Sequence, residues 1–174
     1  MASVTGATDL SALSVLVVDD SRHMRQLVRL MLRAFGIAQV HEAAHAEVAV
    51  GHLREVPTDI VIADLFMQPD GLEFVRQLRD ADNSPCPMVP VIMMTCHATR
   101  GVVSRARDAG VNEFLAKPIS AKSLALRMLA VIARPRPFVR TASYFGPCRR
   151  RHAEDQPVLG RRSNDRDALP QAVA

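Results

Sequence analysis

Apolar residues fall along this chain in two alternating rhythms: short unbroken runs, and longer stretches where they recur every three or four positions. The first rhythm is that of a buried strand and the second that of an amphipathic helix. Leu13 to Val18 (LSVLVV) predicts a first strand. A helix follows from about Ser21 to Phe35, with Met24, Leu27, Val28, Met31 and Phe35 on one face, Arg22, Arg25, Arg29 and Arg33 on the other, and Gly36 as its stop. A weaker strand spans Gln39 to Ala43, and a helix from His45 to about Glu55 ends before Pro57. The third strand, Ile60 to Ala63 (IVIA), runs into Asp64, and a loop holding Pro69 and Gly71 leads to a helix through Leu72, Val75 and Leu78. Asn83 to Pro87 reads as a turn, Val89 to Met94 as the fourth strand, and Thr99 to Ala109 as a helix closed by Gly110. A short fifth strand, Glu113 to Ala116, precedes Lys117-Pro118; Ser120 N-caps a last helix that reaches about Ala133 and is stopped by Pro135 and Pro137.

Five strand and helix repeats predict an α/β domain: a five-stranded parallel sheet, doubly wound with helices on both faces. The expected organisation is a flexible N-terminus over residues 1–10, the domain over 11–133, and an Arg/Pro-rich extension over 134–174. The extension has nine arginines, five prolines and no periodic apolar pattern, so most of it is expected to be disordered. Phe138, Tyr144 and Phe145 are three of the seven aromatic residues in the chain, however, which predicts that RPRPFVRTASYF docks on the domain or on a partner.

Charge sharpens this division. The nine arginines from Arg134 onward face Glu154, Asp155, Asp165 and Asp167, a balance of +5, whereas residues 1–133 hold 13 basic and 14 acidic groups, a balance of −1. The domain is therefore not a basic nucleic-acid module, and nucleic acid is not an expected partner, although Arg149 to Arg151 and Arg161-Arg162 add some attraction for anionic surfaces. No apolar run is long enough to insert in a membrane, and MASVTGATDL lacks the pattern of a secretion signal, so the expected location is cytoplasmic. Cys86, Cys96 and Cys148 are odd in number with no C-x-x-C spacing, which predicts free thiols, Cys96 as a small buried one.

In an open parallel sheet, ligands bind beyond the carboxyl ends of the strands. The first strand ends on Asp19 and Asp20, the third on Asp64, the fourth on Thr95 and the fifth on Lys117. Three carboxylates on one rim repel each other unless a cation joins them, and a hard divalent ion such as Mg²⁺ suits an all-oxygen cluster. Asp64 is then placed to attack an activated phosphoryl group while the metal and Lys117 neutralise its oxygens.

These residues resemble the receiver domains of bacterial two-component response regulators, including the single-domain, chemotaxis-type members. The resemblance spans about Leu13 to Ala133 and rests on the ordered set Asp19-Asp20, Asp64-Leu-Phe-Met-Gln-Pro-Asp-Gly-Leu-Glu, Thr95, ARDAGVNEFLAKP and Lys117-Pro118. It implies a flavodoxin-like sheet of order 2-1-3-4-5. It also implies Asp64 as phosphoacceptor, with Mg²⁺ held by Asp19, Asp20, Asp64 and the main-chain carbonyl of Phe66. Thr95 and Lys117 would bind the phosphoryl group, Phe114 would be the aromatic switch, and Pro118 would follow a cis bond. Phe66 and His97, two residues after Asp64 and Thr95, stand where the family tunes acyl-phosphate hydrolysis. The implied partners are a sensor histidine kinase or a histidine phosphotransfer protein, with a phosphorylation-controlled binding surface as output rather than enzymatic turnover. One departure is the loop Met67-Gln68-Pro69-Asp70-Gly71, one residue shorter before Asp-Gly than the commonest family spacing.

Other readings weigh less. A Mg²⁺-dependent phosphohydrolase with an aspartyl-phosphate intermediate would carry Asp-x-Asp after the first strand, which Asp19-Asp20-Ser21 lacks. A DNA-binding regulator would have to act through the basic extension. His41, His45 and His52 straddle a strand and a helix and are expected at the surface rather than in a metal cluster. The arginine row of the first helix is either a solvated face or a kinase contact.

Overall fold

The structure, a computed structural model, describes residues 10–68 and 70–150. The segment expected to be flexible at the N-terminus lies outside these but for Leu10, as do the extension beyond Arg150, with Arg161-Arg162, and Pro69.

Five strands, β1 (Ser14–Val18), β2 (Gln39–Ala43), β3 (Ile60–Asp64), β4 (Val91–Thr95) and β5 (Glu113–Ala116), form one parallel sheet of order β2-β1-β3-β4-β5. The connecting helices are α1 (Arg22–Ala34), α2 (Ala46–Glu55), α3 (Gly71–Arg79), α4 (Arg100–Ala109) and α5 (Ala121–Ala133). Alternate strand residues serve opposite faces. Leu16, Val18, Val61, Ala63, Val91 and Met93 pack with α2, α3 and α4. Val15, Val17, Ile60, Ile62, Ile92 and Met94 pack with Val28 and Leu32 of α1 and Leu124, Met128 and Val131 of α5. Burial on both faces explains the unbroken apolar runs, each wholly buried Ile or Leu contributing about 2 kcal/mol. Among the described residues no helix is long and apolar enough to cross a membrane.

The helix ends are set locally. Ser21, Asp70, Thr99 and Ser120 accept hydrogen bonds from the first-turn amides of α1, α3, α4 and α5, and Ser120 forms a reciprocal capping box with Ser123. Gly110 ends α4 at φ +100, a left-handed conformation that favours glycine.

One sequence expectation is corrected here. The fourth strand runs Val91–Thr95 rather than Val89 to Met94. Pro90 has no N–H for a ladder, and the Val89 amide is used in a turn to the Cys86 carbonyl. The extension is not irregular throughout: β6 (Phe138–Thr141) and β7 (Tyr144–Pro147) pair antiparallel around Ala142-Ser143. Strands this short carry no readable periodicity, and an isolated hairpin is marginal in water. This one leans on the domain. Phe138 stacks on the Arg79 guanidinium at 5.1 Å, Arg136 Nη1 donates to the Asn112 carbonyl at 3.3 Å, and Arg149 Nη1 lies 3.5 Å from Asp108 Oδ1. Of the two docking sites expected for RPRPFVRTASYF, the structure therefore has the domain itself. Arg136 also donates through Nη2 to the Cys148 carbonyl, closing the base of the hairpin.

Candidate functional site

The carboxyl ends of β1, β3, β4 and β5 converge on one rim. Ala63 of β3 is opposite Val18 of β1, Asp64 is opposite Met94, and Thr95 is opposite Ala116, so the polar residues that terminate these strands are neighbours despite their separation in sequence. Asp19 and Asp64 are almost wholly buried while Asp20 is exposed, and each of the three offers a carboxylate oxygen within 4.8 Å of the others.

Lys117 joins them. Its Nζ lies 3.0 Å from Asp19 Oδ2 and 2.8 Å from Asp64 Oδ1, with only 13% of the side chain exposed. The remaining carboxylate oxygens of Asp19 and Asp64 are held by main chain: Ser21 N donates to Asp19 Oδ1 at 2.8 Å and Phe66 N to Asp64 Oδ2 at 3.1 Å. Burial raises the Asp19 carboxyl above its ordinary pKa, against the hydrogen bond from Lys117 and that from the Ser21 amide. Burial is also the largest single influence on Lys117 and pulls it down, yet hydrogen bonds and charge from Asp64 and Asp19 outweigh it and hold the ammonium above its usual value. One ammonium against three carboxylates leaves a deficit of positive charge. An all-oxygen donor set with that deficit fits a hard divalent cation and suits neither a thiolate nor an imidazole metal.

Thr95 is fully buried, and its hydroxyl accepts from the His97 amide at 3.1 Å. Its carbonyl accepts from the Lys117 amide at 2.8 Å, which ties β4 to the base of the lysine. The Lys117-Pro118 bond is cis. Phe66, 55% exposed, meets His97 edge to face with ring centroids 5.8 Å apart, so the two positions following Asp64 and Thr95 form one aromatic pair beside the rim. Phe114 lies half-buried on β5, packed against the core on the α4 side. Gly71 explains how the shortened loop fits: a Cβ there would stand 2.2 Å from the Asp64 carbonyl oxygen, so only glycine permits this approach.

Sequence reading missed two supports. Arg25 is not solvated; its Nη1 donates to the carbonyls of Asp19 at 2.7 Å and Asp20 at 3.3 Å, while its Nε pairs with Glu42 of β2 at 3.3 Å. Arg29 also pairs with Glu42, so part of the arginine row braces the acidic pair. Two further expectations are corrected. His41 and His52 are half-buried with ring centroids 4.5 Å apart, because α2 lays His52 over the edge strand; the acidic triad is the one cluster of metal-ligating type among the described residues. Cys96 is exposed, since β4 ends one residue earlier, and all three cysteines are free.

The sequence profile of the response regulator receiver domain matches residues 15–129. The chain is 33% identical over 113 residues to chemotaxis protein CheY-3 of Vibrio cholerae, covering 64% of this chain and 85% of that protein. It is 31% identical over 132 residues to the transcriptional regulatory protein ResD of Bacillus subtilis, covering 75% of this chain but spanning only 51% of the relative. Among solved structures, the chemotaxis response regulator CheY4 of Vibrio cholerae superposes with a TM-score of 0.63 at 27% identity, over 69% of this chain and 98% of that one.

Proposed function

The chain belongs to the family of response regulator receiver domains, whose function is to accept a phosphoryl group on an aspartate, and from that premise we propose that Asp64 is the phosphoacceptor. The donor is a sensor histidine kinase or a histidine phosphotransfer protein, and the setting is the cytoplasm. Asp19, Asp20, Asp64 and the main-chain carbonyl of Phe66 hold Mg²⁺, which when bound supplies positive charge to the phosphoryl oxygens. The observation that carries this reading is Lys117 Nζ seated between Asp19 and Asp64 at 3.0 and 2.8 Å.

Asp64 attacks phosphorus with a carboxylate oxygen as the phosphorus–nitrogen bond of the donor histidine breaks. The Phe66 amide and Lys117 hold that carboxylate in one orientation beforehand, so little reorganisation accompanies transfer. Lys117 then takes a phosphoryl oxygen in exchange for Asp64 Oδ1. Thr95 turns its hydroxyl to another, Phe114 moves inward, and the face formed by α4, β5 and α5 changes shape. Phe66 and His97 screen the acyl phosphate from water and lengthen its life. The output is a binding surface rather than turnover.

Incubation with Mg²⁺ and a small acyl phosphate, read by intact mass, should add about 80 Da to the native chain and nothing to Asp64→Asn. An adduct that survives this substitution would refute the assignment. Steady phosphate release from small phosphoesters would instead favour a phosphohydrolase.

A further inference from the structure

β2 forms the edge of the sheet beside β1, and α2 packs across it. Alternation along β2 turns His41 to the side of Ala43, which packs with α2, and away from Glu42, which meets Arg25 and Arg29 of α1. His52 reaches the same place from the last turn of α2, and the two ring centroids lie 4.5 Å apart with the rings tilted by 42°. Both side chains are half-buried, yet their Nε2 atoms are wholly buried, and among the described residues neither nitrogen has a hydrogen-bond partner. Polar atoms withdrawn from water are normally satisfied, so two orphaned nitrogens side by side call for a shared occupant. Burial, the largest influence, and the charge of His41 lower the His52 pKa against the pull of Glu55. His52 is therefore a neutral imidazole at neutral pH, the form that binds metal.

We propose that His41 and His52 form a second metal site, apart from the acidic rim, which takes a borderline divalent ion such as Ni²⁺ or Cu²⁺ through their two Nε2 atoms. Two protein donors are fewer than the three of the rim, and water reaching the half-exposed sheet edge completes the shell. The spacing favours these ions. Two imidazoles on one ion have their centroids roughly 3.2 Å from it, so a separation of 4.5 Å subtends close to a right angle. That is the angle between adjacent ligands of a square or octahedral shell, the preference of Cu²⁺ and Ni²⁺, and wider angles are needed for tetrahedral Zn²⁺. Donor chemistry keeps the two sites apart: imidazole nitrogen selects the borderline ion and the carboxylate rim the hard one. An ion held here would clip the edge strand to its helix, since one ligand comes from each.

The test titrates the full chain with Ni²⁺ by calorimetry in excess Mg²⁺, which competes for the acidic rim. His41→Gln and His52→Gln should each weaken binding by about tenfold or more. His45→Gln and Cys96→Ser, which remove exposed donors elsewhere, should leave it unchanged. Saturating Ni²⁺ should raise the melting temperature of the native chain by about 5 °C and not that of His52→Gln, because the ion binds the folded arrangement. Cu²⁺ gives a readout of the native chain itself: its paramagnetic resonance spectrum should carry hyperfine splitting from two imidazole nitrogens, reduced to one in His52→Gln. No bound Ni²⁺, affinity unchanged in both histidine variants, an equal loss from His45→Gln or Cys96→Ser, or release of the ion by Asp20→Asn would each overturn the site. A water bridging the two nitrogens predicts the first of these outcomes. Phosphorylation of Asp64 takes no part in these measurements, so either reading can fail while the other stands.

Discussion

Two buried cations sit at opposite ends of the sheet, and they are satisfied in different ways. At the carboxyl end, Lys117 lies between two carboxylates whose charge holds its pKa up. At the amino end, Arg79 is 5% exposed and meets only neutral acceptors: the Gly110 carbonyl at 3.0 Å, the Pro87 carbonyl at 2.8 Å and Asn112 Oδ1 at 3.1 Å. Burial pulls Arg79 down to about 10, which leaves it charged at neutral pH. A lysine is a compact point charge that can change partners, whereas a guanidinium fork fits several fixed carbonyls at once. The first arrangement suits chemistry and the second suits a staple.

Substitutions can break this contrast. Lys117→Met should slow phosphorylation by the acyl phosphate on the order of 10²–10³-fold with the fold intact, as loss of one preorganised donor does elsewhere; a stopped-flow or quenched mass assay reads it. Arg79→Met should do the reverse. It removes the donor to the Gly110 and Pro87 carbonyls and one of the two donors to Asn112 Oδ1, and should lower the unfolding free energy by about 3 kcal/mol in urea while leaving the phosphorylation rate of the folded protein unchanged. If Arg79→Met slowed the chemistry and spared stability, the contrast would be wrong. Gly71→Ala probes the seam between the two roles: its Cβ meets the Asp64 carbonyl, so it should cost about 2 kcal/mol and slow phosphorylation together. The smallest effect is expected from Phe66→Asn. Opening the Phe66 and His97 pair should shorten the acyl-phosphate lifetime by about fivefold, near 1 kcal/mol of barrier; an unchanged decay would show that the rings do not screen water.

Much of the site was legible because reactive residues stand where unbroken apolar runs stop, and Asp64, Thr95 and Lys117 need no tertiary knowledge to be noticed. The supports were not. Arg25 looks like Arg22, Arg29 and Arg33 in sequence, since helical spacing says which face an arginine is on but not whether Glu42 on a neighbouring strand will draw it inward. Arg79 ends a helix of ordinary composition, and its partners come from positions 8, 31 and 33 residues away. The hairpin left one trace, a concentration of aromatic rings in an otherwise polar extension. Its strands are stabilised by contacts with Arg79, Asn112 and Asp108 that no local pattern encodes.

The ring of Phe138 over Arg79 has a practical corollary. The match to the family profile ends at residue 129 and α5 ends at Ala133, so either would look like a natural place to cut or to attach a reporter. A cut there would strip the lid from a buried guanidinium and open the α4–β5 corner to water. Through these contacts the hairpin as far as β7 packs on the domain, and a receiver truncated before it should melt earlier for reasons unrelated to signalling.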